Sequence, residues 1–109
     1  MPLVVDQLSG PFGQGGQDRK AVTYLFEGRL GAPFTAFAVD RAKRLNLGGH
    51  IVPGETSATI YVEGPDAMIG AFETACSLGP IEADVQRWAI LPTPRRLGVA
   101  DFSISNDGG

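Results

Sequence analysis

The chain has 109 residues, a formal net charge of −3 at pH 7 and 43% hydrophobic residues. This length suits one compact domain, and the hydrophobic fraction allows a core without metal or disulfide support. A mean hydropathy of +0.03, with no apolar run near the roughly 20 residues that a span needs, predicts no membrane-spanning segment. One cysteine, one histidine and a pI of about 4.9 argue against an internal disulfide, a multi-cysteine metal site and nucleic-acid binding.

The two ends of the chain differ from its middle. Residues 1–20 are rich in glycine and lack hydrophobic periodicity, which predicts a flexible N-terminal tail, and residues 106–109 form a short C-terminal tail. Leu3, Val4 and Val5 are apolar and are candidates for docking on a partner, although a frayed terminus is the simpler interpretation. The start has neither a basic segment nor an apolar signal stretch, so we expect a cytoplasmic protein.

The first predicted elements are a strand and a helix. Residues 21–27 are rich in β-branched and aromatic side chains, which predicts a strand closed by Gly28. Pro33 suits the first turn of a helix, and apolar residues recur at helical spacing from there to about Asn46, with Phe34, Phe37, Ala38 and Leu45 on one face. We expect the Gly48-Gly49 pair to stop this helix and Asn46 to cap it.

A hairpin and a second helix follow. Residues 50–52 and 58–63 are predicted strands on either side of a turn at 53–56. A second helix is predicted to start at residues 64–66 and to end at Gly79-Pro80, with Met68, Ile69, Phe72, Ala75 and Cys76 at helical spacing.

Two strands complete the predicted domain, over residues 85–91 and 101–104. The order is then β-α-β-β-α-β with a short extra strand. This order predicts an α+β, ferredoxin-like βαββαβ sandwich over residues 21–105, with one mainly antiparallel sheet and two helices on one face.

Several fragments in this order resemble the acylphosphatase family. They are Gly28-Arg29-Leu30 followed by Gly31 to Phe37, then Gly49-His50-Ile51, Tyr61-Val62-Glu63-Gly64-Pro65, Gly79-Pro80 with Ala83-Asp84-Val85, and Phe102-Ser103-Ile104. The resemblance implies the family's fold and the hydrolysis of acyl phosphates. It also implies an anion site at the start of the first helix, formed around Leu30, Gly31, Ala32, Phe34 and Thr35. We predict no cofactor and no metal.

The resemblance fails at the residues that would carry the chemistry. Thr35 stands where the family has a phosphate-binding arginine, and a threonine cannot form that charged, bidentate contact. Pro33 stands where the family has a loop glycine, and it has no N–H to donate. The family's water-orienting asparagine falls near Val52 or Pro53, where the turn is also shortened. The loop is one residue short between Leu30 and Gly31 as well. The sequence therefore predicts a degenerate site.

Other residues could carry a function in its place. Arg29 could swing toward the helix start as a substitute cation, although a solvated strand end is the simpler interpretation. Trp88 could anchor an interface, with ordinary packing as the alternative. His50 and Cys76 are interpreted as packed side chains, the cysteine being a buried, inert thiol.

Three functions of different classes remain. The first is a non-catalytic binding, accessory or regulatory domain that meets a protein partner or joins a larger assembly. The alternative is a divergent acylphosphatase that hydrolyses acyl phosphates to carboxylate and phosphate. A third interpretation is a sensor that binds phosphate or another small anion at the degenerate site.

Overall fold

The computed structural model describes residues 19–93 and 98–105 of the chain. The elements in chain order are β1 (Arg19–Arg29), α1 (Gly31–Arg44), β2 (Gly48–Val52), β3 (Ser57–Pro65), α2 (Asp66–Leu78), β4 (Asp84–Leu91) and β5 (Phe102–Ile104). The predicted order of strands and helices is confirmed. Residues 1–18, which include Leu3, Val4 and Val5, and residues 106–109 lie outside the described residues.

The five strands form one sheet in the order β4-β1-β3-β2-β5. All neighbouring strands are antiparallel except β2 and β5, which are parallel. Both helices pack against the sheet and against each other, α1 over β2 and β5 and α2 over β1, β3 and β4. The predicted ferredoxin-like α+β fold is therefore confirmed, with β5 as the extra strand at one edge.

The core lies between this sheet and the helices because alternate strand residues point to one face. Tyr24 and Phe26 of β1 are opposite Ile60 and Ala58 of β3, and all four side chains are buried. The buried residues of α1 are Phe34, Ala38 and Ala42, and those of α2 are Ile69, Phe72 and Cys76. The predicted inward positions Phe34, Ile69 and Phe72 are therefore confirmed, together with Ala38 and Cys76. Met68, which was predicted on the same face of α2, is 37% exposed instead.

The boundaries around α1 differ from the prediction. The strand β1 continues through Gly28 to Arg29, and α1 starts at Gly31 rather than at Pro33. Gly31 has a φ of 62°, a left-handed conformation that favours glycine, so the chain can leave the strand and enter the helix within one residue. A side chain at Gly28 would collide with the carbonyl of Asp84 in β4. Only glycine therefore allows the two strands to pair this closely at position 28.

The end of α1 confirms one prediction and corrects another. Asn46 has a φ of 58° and its N–H donates to the Lys43 carbonyl, so it caps the helix as predicted. The glycine pair does not stop the helix, which ends at Arg44; Gly48 and Gly49 instead begin β2. The left-handed conformation of Asn46 ends the helix before the glycine pair is reached.

The sheet face opposite the helices is also partly covered. Glu63 alternates with Val62 along β3, so its side chain lies on that face, yet it is fully buried. Its Oε1 accepts hydrogen bonds from the N–H groups of Gly98 (2.7 Å) and Val99 (3.0 Å), and its Oε2 accepts one from the Tyr61 hydroxyl (2.6 Å). We call residues 98–101 the strap, because β4 and β5 are at opposite edges of the sheet and the chain must cross between them.

In the described part of the chain, neither helix is long and apolar enough to cross a membrane. This agrees with the hydropathy of the sequence.

Candidate functional site

The start of α1 is held against the turn between β2 and β3. The Leu30 N–H donates to the Glu55 carbonyl (2.8 Å), and the Gly28 N–H donates to the Thr56 carbonyl (3.0 Å). These backbone bonds fix the path of the turn beside the first residue of the helix. They also use the Leu30 N–H, which is therefore not available to cradle an anion.

The Glu55 side chain occupies the space beside Gly31. Its Oε1 lies 3.3 Å from the position that a Cβ on Gly31 would take. A helix start carries a partial positive charge, so a carboxylate is stabilised there. Among the described residues Glu55 forms no ion pair. The place where the family resemblance requires a bound phosphate is thus next to a negative side chain of the protein itself.

A cavity of about 800 Å³ opens from this point along α1. Its walls are the outer face of α1, the turn that carries Glu55, and the edge strand β5. The lining residues are Gly31, Ala32, Thr35, Ala36, Val39, Asp40, Lys43, Pro53, Gly54, Glu55 and Ile104. Alanine, valine, isoleucine and proline side chains supply most of the surface, with charged groups at the two ends.

The structure brings together only part of the predicted anion site. Gly31, Ala32 and Thr35 line the cavity. Leu30 and Phe34 do not, because their side chains are 3% and 0% exposed in the core. Of the two positions predicted for the asparagine, Pro53 lines the cavity, whereas Val52 is half-buried in β2 and does not.

Thr35 is engaged within its own helix. Its Oγ1 donates to the Gly31 carbonyl at 3.3 Å, a bond from one turn of α1 to the preceding one. Threonine hydroxyls commonly make this bond inside helices. The hydroxyl is thus directed along the helix.

Arg29 lies in a different cavity. It lines a space of about 460 Å³ at the end of the sheet, together with Thr56, Glu27 and Arg87. Arg87 Nε donates to Glu27 Oε1 at 2.7 Å, whereas Arg29 has no ion pair among residues 19–93 and 98–105. Neither arginine is among the residues that line the cavity beside α1.

Trp88 lies on β4 at the edge of the sheet, on the face that the helices cover. Its ring stacks on Phe26 with centroids 6.5 Å apart, and its Nε1 donates to Glu73 Oε2 at 3.3 Å. The residue nevertheless remains 44% exposed, and Ile90, two positions along the strand, is 64% exposed. Trp88 therefore combines a packed ring with an accessible apolar surface.

The remaining candidates are packed as the sequence suggested. The Cys76 thiol is buried, and burial raises its pKa to about 12, although the charge of Arg41 opposes this shift. Burial, aided by the Glu73 carboxylate, also raises the pKa of the Tyr24 hydroxyl. His50 is half-buried, with its ring centroid 5.7 Å from that of Tyr61. The described residues contain no group of three or more side chains that could hold a metal ion.

Glu55 is the site residue that sequence reasoning missed. The sequence assigns Glu55 only to a predicted turn, and turn residues usually lie at the surface of the protein. The available signal was the shortened turn, because a shorter connection between β2 and β3 changes which residue faces the start of α1. Lys43, Val39 and Ile104 were missed for a related reason: they come together only when β5 is added beside β2.

Comparison with known proteins gives matches at the level of structure. No protein-family model matches the chain, and no curated protein matches it by sequence. Acylphosphatase from Bacillus subtilis has 22% sequence identity and a TM-score of 0.70, over 78% of this chain and 97% of that one. An acylphosphatase from Coxiella burnetii has 16% identity and a TM-score of 0.67, over 81% of this chain and 94% of that one.

A similar domain occurs inside a larger protein. Full-length HypF, solved in a phosphate- and nucleotide-bound form, has 23% identity and a TM-score of 0.67, over 86% of this chain but only 13% of the HypF chain. These identities are low, so the likeness establishes the architecture and leaves the chemistry to the residues of the site. The chain has the acylphosphatase-like α+β fold, as its sequence fragments indicated.

Proposed function

We propose that this domain is a non-catalytic, acylphosphatase-like binding module. The observation that carries the proposal is the charge at the start of α1, where the Glu55 carboxylate lies beside Gly31 and no arginine lines the cavity. Hydrolysis of an acyl phosphate requires positive groups around the transferred oxygens, because negative charge must be held in the transition state. A carboxylate at that point repels the substrate instead.

The alternative, a divergent acylphosphatase, needs a relocated cation. Arg29 is the candidate for that role, but it lines the cavity beside Glu27 and Arg87 and is not among the residues that line the α1 cavity. Lys43 does line the α1 cavity, near the opposite end of the helix, about 18 Å along the axis from Gly31 at 1.5 Å per residue. These positions favour the non-catalytic function.

The test is an assay with benzoyl phosphate at neutral pH. We expect the protein to leave the rate at its value in buffer, because losing one charged contact of this kind lowers catalysis by about two to three orders of magnitude. The matched control is Arg29→Ala, which should give the same rate as the natural chain. If the natural chain accelerated hydrolysis and the Arg29→Ala variant did not, the domain would be a divergent acylphosphatase instead.

The module also has a surface suited to a protein partner or a larger assembly. Trp88 and Ile90 are accessible on β4, and no strand among residues 19–93 and 98–105 pairs with the outer edge of β4. Tryptophan is enriched among the residues that dominate interface energies. The likeness to one part of HypF fits such a role, because that protein carries a similar domain within a longer chain.

We therefore expect Trp88→Ala to weaken capture of a native partner at least tenfold in an affinity pull-down, compared with the natural chain. Leu78→Ala is the matched control, since Leu78 is 77% exposed on α2 and is not part of β4. Circular dichroism should show that both variants are folded. Equal capture by all three chains would exclude Trp88 as a contact residue. A chain that starts at Arg19 tests Leu3, Val4 and Val5 in the same way.

A further inference from the structure

The cavity along α1 has the size and surface of a small-molecule site. Its volume of about 800 Å³ lies within the range of 300–1,000 Å³ that is typical of ligand pockets. Ala32, Ala36 and Val39 form one wall, and Ile104, which is 48% exposed, faces them from β5. An apolar chain placed here would cover side chains that otherwise contact water.

The charges of the cavity are unevenly placed. Glu55 stands at the end beside Gly31, without an ion pair in the described part of the chain. Asp40 is already paired with Arg44 at 2.8 Å. Lys43 lies about 18 Å along α1 from Gly31, which exceeds the screening length of about 8 Å at physiological ionic strength. Its charge therefore does not neutralise Glu55.

We infer that the cavity binds an apolar molecule with a cationic head group, an alkylammonium in the simplest case. The ammonium contacts the Glu55 carboxylate, and the alkyl chain lies on Ala36, Val39 and Ile104. This assignment rests on the proposed non-catalytic function and reverses the charge of the ligand that the fold resemblance implies. The reversal follows from a single acidic side chain at the start of α1.

The test compares three probes that share one alkyl chain: hexylamine, hexanoate and 1-hexanol. Each is titrated into the isotope-labelled full chain at pH 7, and amide chemical shifts report the dissociation constant and the location. We expect hexylamine to bind about three- to fivefold more tightly than 1-hexanol, the gain expected for an exposed charge pair, and hexanoate to bind most weakly. The shifted amides should include those of Ala36 and Glu55.

Two variants separate the charge from the apolar surface. Glu55→Gln should make the three probes bind equally, whereas the control Glu82→Gln, at an exposed position outside the cavity, should preserve their order. Ala36→Gln places a larger side chain on an exposed helix position and should weaken all three probes. It does not disturb the core, so a loss of binding would not reflect unfolding.

The outcomes are distinct. Tighter binding of hexanoate than of hexylamine would overturn the inference, and so would the absence of saturable shifts up to about 20 mM of each probe. If either of these outcomes occurred and benzoyl phosphate were not hydrolysed, the proposed non-catalytic function would still hold. Hydrolysis of benzoyl phosphate would overturn the proposed function regardless of how tightly hexylamine binds.

Discussion

Replacing Glu63 by alanine is expected to lower the free energy of unfolding by about 2–4 kcal/mol, because hydrogen-bond donors lose a fully buried acceptor. The substitution removes the acceptor of the Gly98 and Val99 N–H groups and of the Tyr61 hydroxyl. A buried donor that loses its acceptor typically costs about 1–3 kcal/mol, and the cost is smaller at Gly98, which is exposed to water. Arg19 contributes little to this loss, because its NH2 lies 3.9 Å from Glu63 Oε1 and its side chain is 44% exposed.

Urea denaturation followed by circular dichroism measures this effect. Glu63→Gln should be milder, about 1–3 kcal/mol, because one amide oxygen can still accept a hydrogen bond from the strap. Glu27→Ala is the matched control: it breaks the exposed ion pair with Arg87 and should change stability by less than about 1 kcal/mol. If Glu63→Ala were no worse than Glu27→Ala, the strap would not depend on the buried carboxylate.

Phe34→Ala is expected to be similarly damaging, at about 3–5 kcal/mol, because it empties a fully buried site. The Phe34 ring packs 5.4 Å from the centroid of Phe26, between the first turn of α1 and the middle of the sheet. Its loss should also loosen the start of α1. We therefore expect amide exchange to accelerate at Leu30, whose N–H donates to the Glu55 carbonyl, along with the drop in stability.

Phe37→Ala is the control for this prediction, since it removes the same side chain from the same helix. Phe37 is only partly buried, and its ring lies 5.2 Å beneath the Arg41 guanidinium. Losing that contact and the partial burial should lower stability by about 1–2 kcal/mol. Equal losses for the two variants would show that Phe34 has no special role at the start of α1.

The sequence predicted the architecture because most of its signals are local. The β-branched and aromatic residues of β1 are such a signal, and so is the helical spacing of Phe34 and Ala38 or of Ile69 and Phe72. Each depends only on near neighbours along the chain. The helix boundaries were less accurate. Pro33 marked the first turn of α1, but the left-handed glycine before it could start the helix two residues earlier.

The site was harder to predict because it is formed by distant segments. The sequence located Thr35 and Pro53 as departures from the family pattern, and both line the cavity. The sequence did not place Glu55 beside Gly31, because that contact depends on the path of the turn between β2 and β3. Neighbouring residues along the chain do not determine that path. The sequence also did not identify Glu63 as a buried acceptor, because the donors come from the strap, 35 and 36 residues further along the chain.

The turn that carries Glu55 is tied to β1 and to the start of α1 through backbone atoms alone. The path of the chain there is consequently independent of the side chain at position 55, which is exposed and absent from the core. One substitution at position 55 therefore changes the charge beside α1 at a stability cost of only about 0.3–1 kcal/mol, the usual size of a charge interaction at a helix start. The charge of this site can evolve with little effect on the stability of the fold.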